Sequence, residues 1–251
     1  MKKTLIKIFQ FIECLMKEHI NQIFIDLQNI ENIPKKVFCT SLEIDNGFKM
    51  FCYGVKFDSF SQSLIILRQL TEQVCFLDIA SKHQECFGGI ELFSKLKVEC
   101  LKYDMEDDIN KKKQYQESKD LVSTMYSNVK KQYPKTKNLS KIDYLDYGWM
   151  LEITDECGVE KLYELSDFEE IKKWRTYLNS IVHNTFSFYQ NSIEEQEKMI
   201  IESTHMVMLL LDSYMCSYHK LTGYNYIINN IDFRYFFNSL FDEFLLLKKD
   251  N

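Results

Sequence analysis

Ser59-Phe-Ser-Gln-Ser-Leu-Ile-Ile-Leu-Arg-Gln-Leu-Thr-Glu-Gln-Val-Cys-Phe-Leu-Asp-Ile-Ala80 decides the fold. Its residues Leu64, Ile65, Leu67, Leu70, Val74 and Leu77 recur mostly at steps of three and four, with no Gly or Pro among them. That spacing belongs to a helix of 3.6-residue period and not to a strand of period two. The apolar residues cover nearly the whole circumference, so this helix is expected at the centre of a bundle. Asp58 or Ser59 is placed to cap its start.

The neighbouring segments follow the same period. Leu5, Ile8, Phe9, Ile12, Leu15, Met16, Ile20, Ile23, Phe24 and Leu27 make residues 4–30 an amphipathic helix, and Pro34 ends the connection after it. Residues 40–57 read as a helix, more weakly because of Gly47 and Gly54. After Gly88-Gly89 the pattern resumes through Leu92, Phe93, Leu96, Val98 and Leu101. Residues 106–133 are charged and include Lys111-Lys-Lys113, which reads as a solvated helix or as a basic contact patch. Residues 134–165 are the least regular; Asp143-Tyr-Leu-Asp-Tyr-Gly-Trp-Met150 is expected to fold back over the core.

Two helix starts announce themselves. Ser166-Asp-Phe-Glu169 and Ser192-Ile-Glu-Glu195 both fit the capping box, in which the Ser side chain and the Glu three residues later satisfy free amide N–H groups. The second opens a helix to about Leu221, with Gly223 as its stop. Residues 226–248 predict a last helix through Ile227, Ile231, Phe233, Phe236, Phe237, Leu240, Phe244 and Leu247. The fold class is therefore all-α: a single helical bundle domain of about seven or eight helices over residues 1–251, with no sheet beyond a stray hairpin.

Composition agrees. The 251 residues include 7 Gly and 2 Pro, too few for a many-stranded protein that needs a turn every ~8–12 residues. Apolar residues are 45% of the chain, enough for a sizeable core. The net charge of −6 argues against a protein that holds nucleic acid over its whole surface, and no DNA partner is expected. The longest wholly apolar run, Met206–Leu211, is far short of the ~20 residues of a membrane span. Eight Cys without a Cys-x-x-Cys pair, mostly within apolar periodic segments, read as small buried hydrophobes of a reducing, cytoplasmic setting. The single Ala among abundant Ile, Lys, Asn and Tyr suggests an AT-rich bacterial genome.

Chemistry, if present, is expected where ionisable groups sit beside an apolar stripe. Arg68 and Glu72 are neighbours on one face of the central helix and should form an ion pair, either structural or orienting a group on another helix. In Trp174-Arg-Thr-Tyr-Leu-Asn-Ser-Ile-Val-His183, the residues Arg175, Asn179 and His183 make one polar stripe. Tyr177, Ser180 and His183 make a second, and Trp174, Leu178 and Ile181 lie beside them as an apolar stripe. His183 belongs to both polar lines. It is the candidate acid/base group, because imidazole titrates near neutral pH; Arg175 could stabilise a phosphate that gains charge. The bland alternative is a core histidine bonded to Ser180, Tyr177 or Glu72. Glu202-Ser-Thr-His205 has the spacing of di-iron bundles but no second copy, and His83-Gln-Glu-Cys86 lacks a partner pair. No metal and no cofactor are expected.

Leu64-Ile-Ile-Leu-Arg-Gln-Leu-Thr-Glu72, Asp146-Tyr-Gly-Trp149 and Tyr177-Leu-Asn-Ser-Ile-Val-His183 together resemble, in that order, a family of uncharacterised bacterial helical proteins. That family is similar to the HEPN-like superfamily. The resemblance covers roughly residues 45–190 and implies a HEPN-like core. It also implies a place in bacterial defence or toxin–antitoxin systems, as a homodimer or with a partner protein such as an antitoxin, and RNA as a ligand. HEPN-type ribonucleases work without metal through an Arg and a His four to six residues apart. Here seven residues separate Arg175 from His183. The expectation is a non-catalytic helical protein acting through protein or RNA contact; the alternative is a metal-independent endoribonuclease using His183, Arg175 and Asn179, with Arg68, Glu72, Tyr177 and Ser180 in support.

Overall fold

The computed structural model describes residues 3–57, 59–82, 105–113, 177–182, 191–224, 227–228 and 231–249, with single positions 84, 87, 98, 116 and 189. The fold is all-α. Helix α1 spans Lys3–Asn29, α2 Lys35–Lys56, α3 Phe60–Lys82, α4 Ile193–Thr222 and α5 Phe233–Lys249.

Helix α1 buries Leu5, Ile8, Phe9, Ile12, Leu15, Met16 and Ile23 of the stripe its sequence period sets out, while Ile20 and Leu27 are half-buried and Phe24 is exposed. The chain then turns over the buried Ile33, and Pro34 takes the N-cap position of α2, where its missing N–H costs nothing. Pro34 carbonyl accepts the Val37 amide at 2.9 Å. Helix α2 returns antiparallel to α1, as the pairs His19–Asp45 and Glu13–Lys56 show. It runs antiparallel to α3 as well, with Gly54 against Ser63 and Glu43 against Gln73. The approach at Gly54 is so close that a Cβ there would stand 2.1 Å from Ser63 Oγ.

Helix α3 packs on α2 on one side and on α4 on the other, the central place its sequence predicts. Its start differs in detail. Ser59 carbonyl takes the amides of Gln62 and Ser63, while its hydroxyl turns back to Phe57 carbonyl at 3.4 Å. Its circumference is not wholly covered either: Ile65 is 45% exposed. Helix α4 begins at the expected capping box, with the Glu195 amide on Ser192 Oγ and the Ser192 amide on Glu195 Oε2. It ends at Gly223, whose φ of 73° lies in the left-handed region that favours glycine.

The last segment departs from its sequence pattern. Ile227–Ile228 (β1) and Ile231–Asp232 (β2) pair antiparallel, Ile228 opposite Ile231, and α5 starts only at Phe233. Ile227 and Ile231, read as helical from their spacing, lie in this short hairpin. Helix α5 closes on α1 through Lys7–Glu243 at 2.9 Å and Thr4–Glu243 at 3.2 Å, with Phe244 buried. Residues 109–113 are helical, and Asp108 Oδ1 accepts the amides of Asn110 and Lys111 at their start. Lys111, Lys112 and Lys113 there are exposed. The other capping box, at Ser166, the Asp143–Met150 segment and Gly88-Gly89 lie outside the described residues. Among the described residues no helix is long and apolar enough to cross a membrane.

Candidate functional site

Arg68 stands at the meeting point that the sequence suggests. Its Nη1 lies 2.5 Å from Glu72 Oε1, one helical turn along α3. Its Nε donates to Asn179 Oδ1, also at 2.5 Å, across a sequence distance of 111 residues. The helical stretch 177–182 is held against the core by Leu178 and Ile181, 2% and 5% exposed, so the expected apolar stripe is the buried one. Asn179 is only partly buried and turns its amide to Arg68.

Two further candidates point elsewhere. Tyr177 hydroxyl reaches Met199 Sδ on α4 at 3.6 Å, and burial pushes its pKa up to about 12. Ser180 hydroxyl donates to Tyr177 carbonyl at 2.6 Å. The structure thus joins Arg68, Glu72 and Asn179 into one contact, while Tyr177 and Ser180 serve the local helix and its packing. Arg175 and His183 lie outside the described residues.

The Arg68–Glu72 pair is not sealed from water: the side chains are 23% and 29% exposed. Solvent therefore screens it, and a pair in such a place contributes on the order of 1 kcal/mol or less. Chemically, the arrangement presents a guanidinium whose fork is occupied on two sides, by a carboxylate and an amide oxygen. That is a means of fixing how the 177–182 helix sits on α3.

Among the described residues, a deeply buried polar cluster was not singled out by the sequence. His19 on α1, Asp45 on α2 and Tyr214 on α4 meet in the core. His19 Nδ1 lies 3.0 Å from Asp45 Oδ1, and Tyr214 hydroxyl is 2.7 Å from the same oxygen and 3.1 Å from Ser41 carbonyl. Burial raises the Asp45 pKa above the usual carboxylate range, against the opposing pull of His19, Tyr214 and Lys49. One turn away, Tyr218 hydroxyl bonds Asp26 Oδ2 at 2.7 Å, and burial and that carboxylate raise the tyrosine strongly. A signal did exist. His19 stands in line with Leu15 and Ile23 on α1, and Asp45 directly follows the core residue Ile44. Ionisable residues in core register must find partners.

Among the described residues, no group of three or more His, Cys, Asp and Glu side chains could hold a metal ion. His205 of the Glu-x-x-His spacing is stacked instead on Phe241 and Phe244, at 5.6 and 5.9 Å between ring centroids. The cysteines divide. Cys52 is a buried hydrophobe, with its thiol pKa raised by burial, but Cys14 and Cys39 are exposed. No protein-family model, curated protein or solved structure matches the chain.

Proposed function

We propose that the chain is a non-catalytic helical interaction protein, of the kind that serves bacterial defence or toxin–antitoxin systems, and that it works through protein contact. The observation that carries this reading is the outer face of α2. Met50, Tyr53 and Phe57 follow one another at steps of three and four and are 53%, 54% and 62% exposed. Tyr53 and Phe57 rings lie 4.3 Å apart between centroids, so the apolar surface is continuous there. Clustered exposed aromatics of this kind mark contact surfaces more often than catalytic ones. The engagement of Arg68 by Glu72 and Asn179 supports the same reading, because it gives the conspicuous cation a structural task.

The partner taken first is a second copy of the chain. Sedimentation equilibrium over a range of concentrations tests it: wild type should associate, and Tyr53→Glu should not, with unchanged helical CD. A wild type that stays monomeric at every concentration removes the second copy as partner.

The second reading is a metal-independent endoribonuclease with His183 as acid/base group and with Arg175 and Asn179 in support. RNA cleavage in the presence of a chelator, abolished in a His183→Ala protein that melts normally, would replace the first reading by this one.

A further inference from the structure

The junction of α1, α2 and α4 contains titratable groups that the proposed function does not use. The His19 and Asp45 side chains are both wholly buried. His19 Nδ1 faces the carboxyl group from 3.0 Å (Oδ1) and 2.9 Å (Oδ2), so the ring nitrogen straddles both oxygens. Tyr214 hydroxyl donates to Oδ1 from α4. The Tyr214 and Tyr218 rings close around the imidazole, edge to face, at 5.4 and 4.4 Å. Among the described residues, the other charged groups near the junction are Lys49, on the helix of Asp45, and Asp26, on the helix of His19 and bonded to Tyr218. Helix α3 reaches α4 through Asp78, tied to Lys82 at 2.6 Å and to Ser217 at 3.3 Å.

An imidazole and a carboxyl group in one dry site can hold zero, one or two protons. With none, a carboxylate is buried without a counter-charge. With two, an imidazolium is. With one, the pair is neutral overall, whichever atom carries the proton. Burial penalises both net-charged states and leaves the one-proton state. We propose that His19 and Asp45 share a single proton in the folded protein, which makes the α1–α2–α4 junction a lock that closes by taking up a proton. Burial raises Asp45, which favours the uncharged carboxyl group of the one-proton state.

The pH dependence follows from proton counts. In the unfolded chain a His releases its proton near ~6.5 and an Asp near ~3.9, independently. Between those values the unfolded pair also holds one proton, and stability is level. Above ~6.5 the unfolded pair holds none while the folded pair keeps one, so stability falls as pH rises until the folded pair releases it. Below ~3.9 the unfolded pair holds two, and stability falls as pH drops.

Urea unfolding of the full chain between about pH 5 and 8.5, for wild type and Asp45→Asn, tests this. The wild-type folding constant should fall by up to about tenfold per pH unit above neutrality. Asn at position 45 cannot share the proton, so the variant should lose that fall. Parallel pH profiles for the two proteins would overturn the proposal. Should Asp45→Asn not fold, proton release on unfolding the wild type near pH 7.5 decides: about one proton per chain supports the shared proton, and none overturns it.

Discussion

Replacing Gly54 by Ala adds one methyl group at the tightest point between α2 and α3. That Cβ would lie 2.1 Å from Ser63 Oγ, 3.2 Å from Ser59 carbonyl oxygen and 3.4 Å from Ser63 Cβ. Non-bonded heavy atoms sit at about 3.5–4.0 Å, so the hydroxyl must move by more than about 1 Å. It is not free to do so cheaply, because Ser63 is fully buried and its hydroxyl donates to Phe51 carbonyl at 3.1 Å. Losing that bond costs ~1 kcal/mol, and crowding in a packed interior costs ~1–3 kcal/mol. Against this, Ala is favoured over Gly within a helix by ~1 kcal/mol. The net expectation is a loss of about 1–3 kcal/mol, read as a lower urea midpoint with an unchanged slope. The same substitution made on a Ser63→Ala background meets only the 3.2 and 3.4 Å contacts. Its cost there should fall by at least about 1 kcal/mol, which a double-mutant cycle measures as coupling. A Gly54→Ala protein as stable as wild type, or an equal cost on both backgrounds, would refute the close-crossing argument.

Two smaller perturbations test the caps and the polar contact. Ser192→Ala removes the side chain that accepts the Glu195 amide and should lower stability by about 1 kcal/mol by thermal or urea unfolding. Glu72→Ala leaves an Arg68 that still reaches water and Asn179. Its loss should stay near 1 kcal/mol or below, far from the ~3–5 kcal/mol of a sealed pair, and should shrink further at high salt.

Helix positions were legible where a local signal marks them. Ser192 and Glu195 carry the α4 start within four residues and Gly223 its end, whereas α2 begins at Lys35, directly after Pro34 and five residues before the start read from the apolar pattern. The contact between Arg68 and the 177–182 helix was half legible: sequence spacing joins Arg68 to Glu72 and makes Leu178 and Ile181 the buried face. That Asn179 is the residue facing Arg68 depends on how two distant helices lie against each other, and a helical period does not encode that. The hairpin before α5 was misread for a related reason. Ile227 and Ile231 are four apart, which fits a helix turn, yet each pairs across an antiparallel ladder, and pairing between two short β-branched stretches is not written in a spacing of four.

The two polar clusters differ most in their access to water, and that difference assigns their roles. Arg68, Glu72 and Asn179 keep partial exposure, so breaking their contacts exchanges protein partners for water at small cost. His19 and Asp45 have no such exchange open to them: each is sealed by rings and helices drawn from α1, α2 and α4. A group that water can reach is able to trade partners with a ligand, whereas a sealed group can trade only when helices separate. The part-exposed cluster therefore holds the 177–182 helix on α3 through contacts that can yield, and the sealed one suits control of whether the three helices stay together. That control would act through the one small species able to alter the sealed pair without a pocket to enter, a proton.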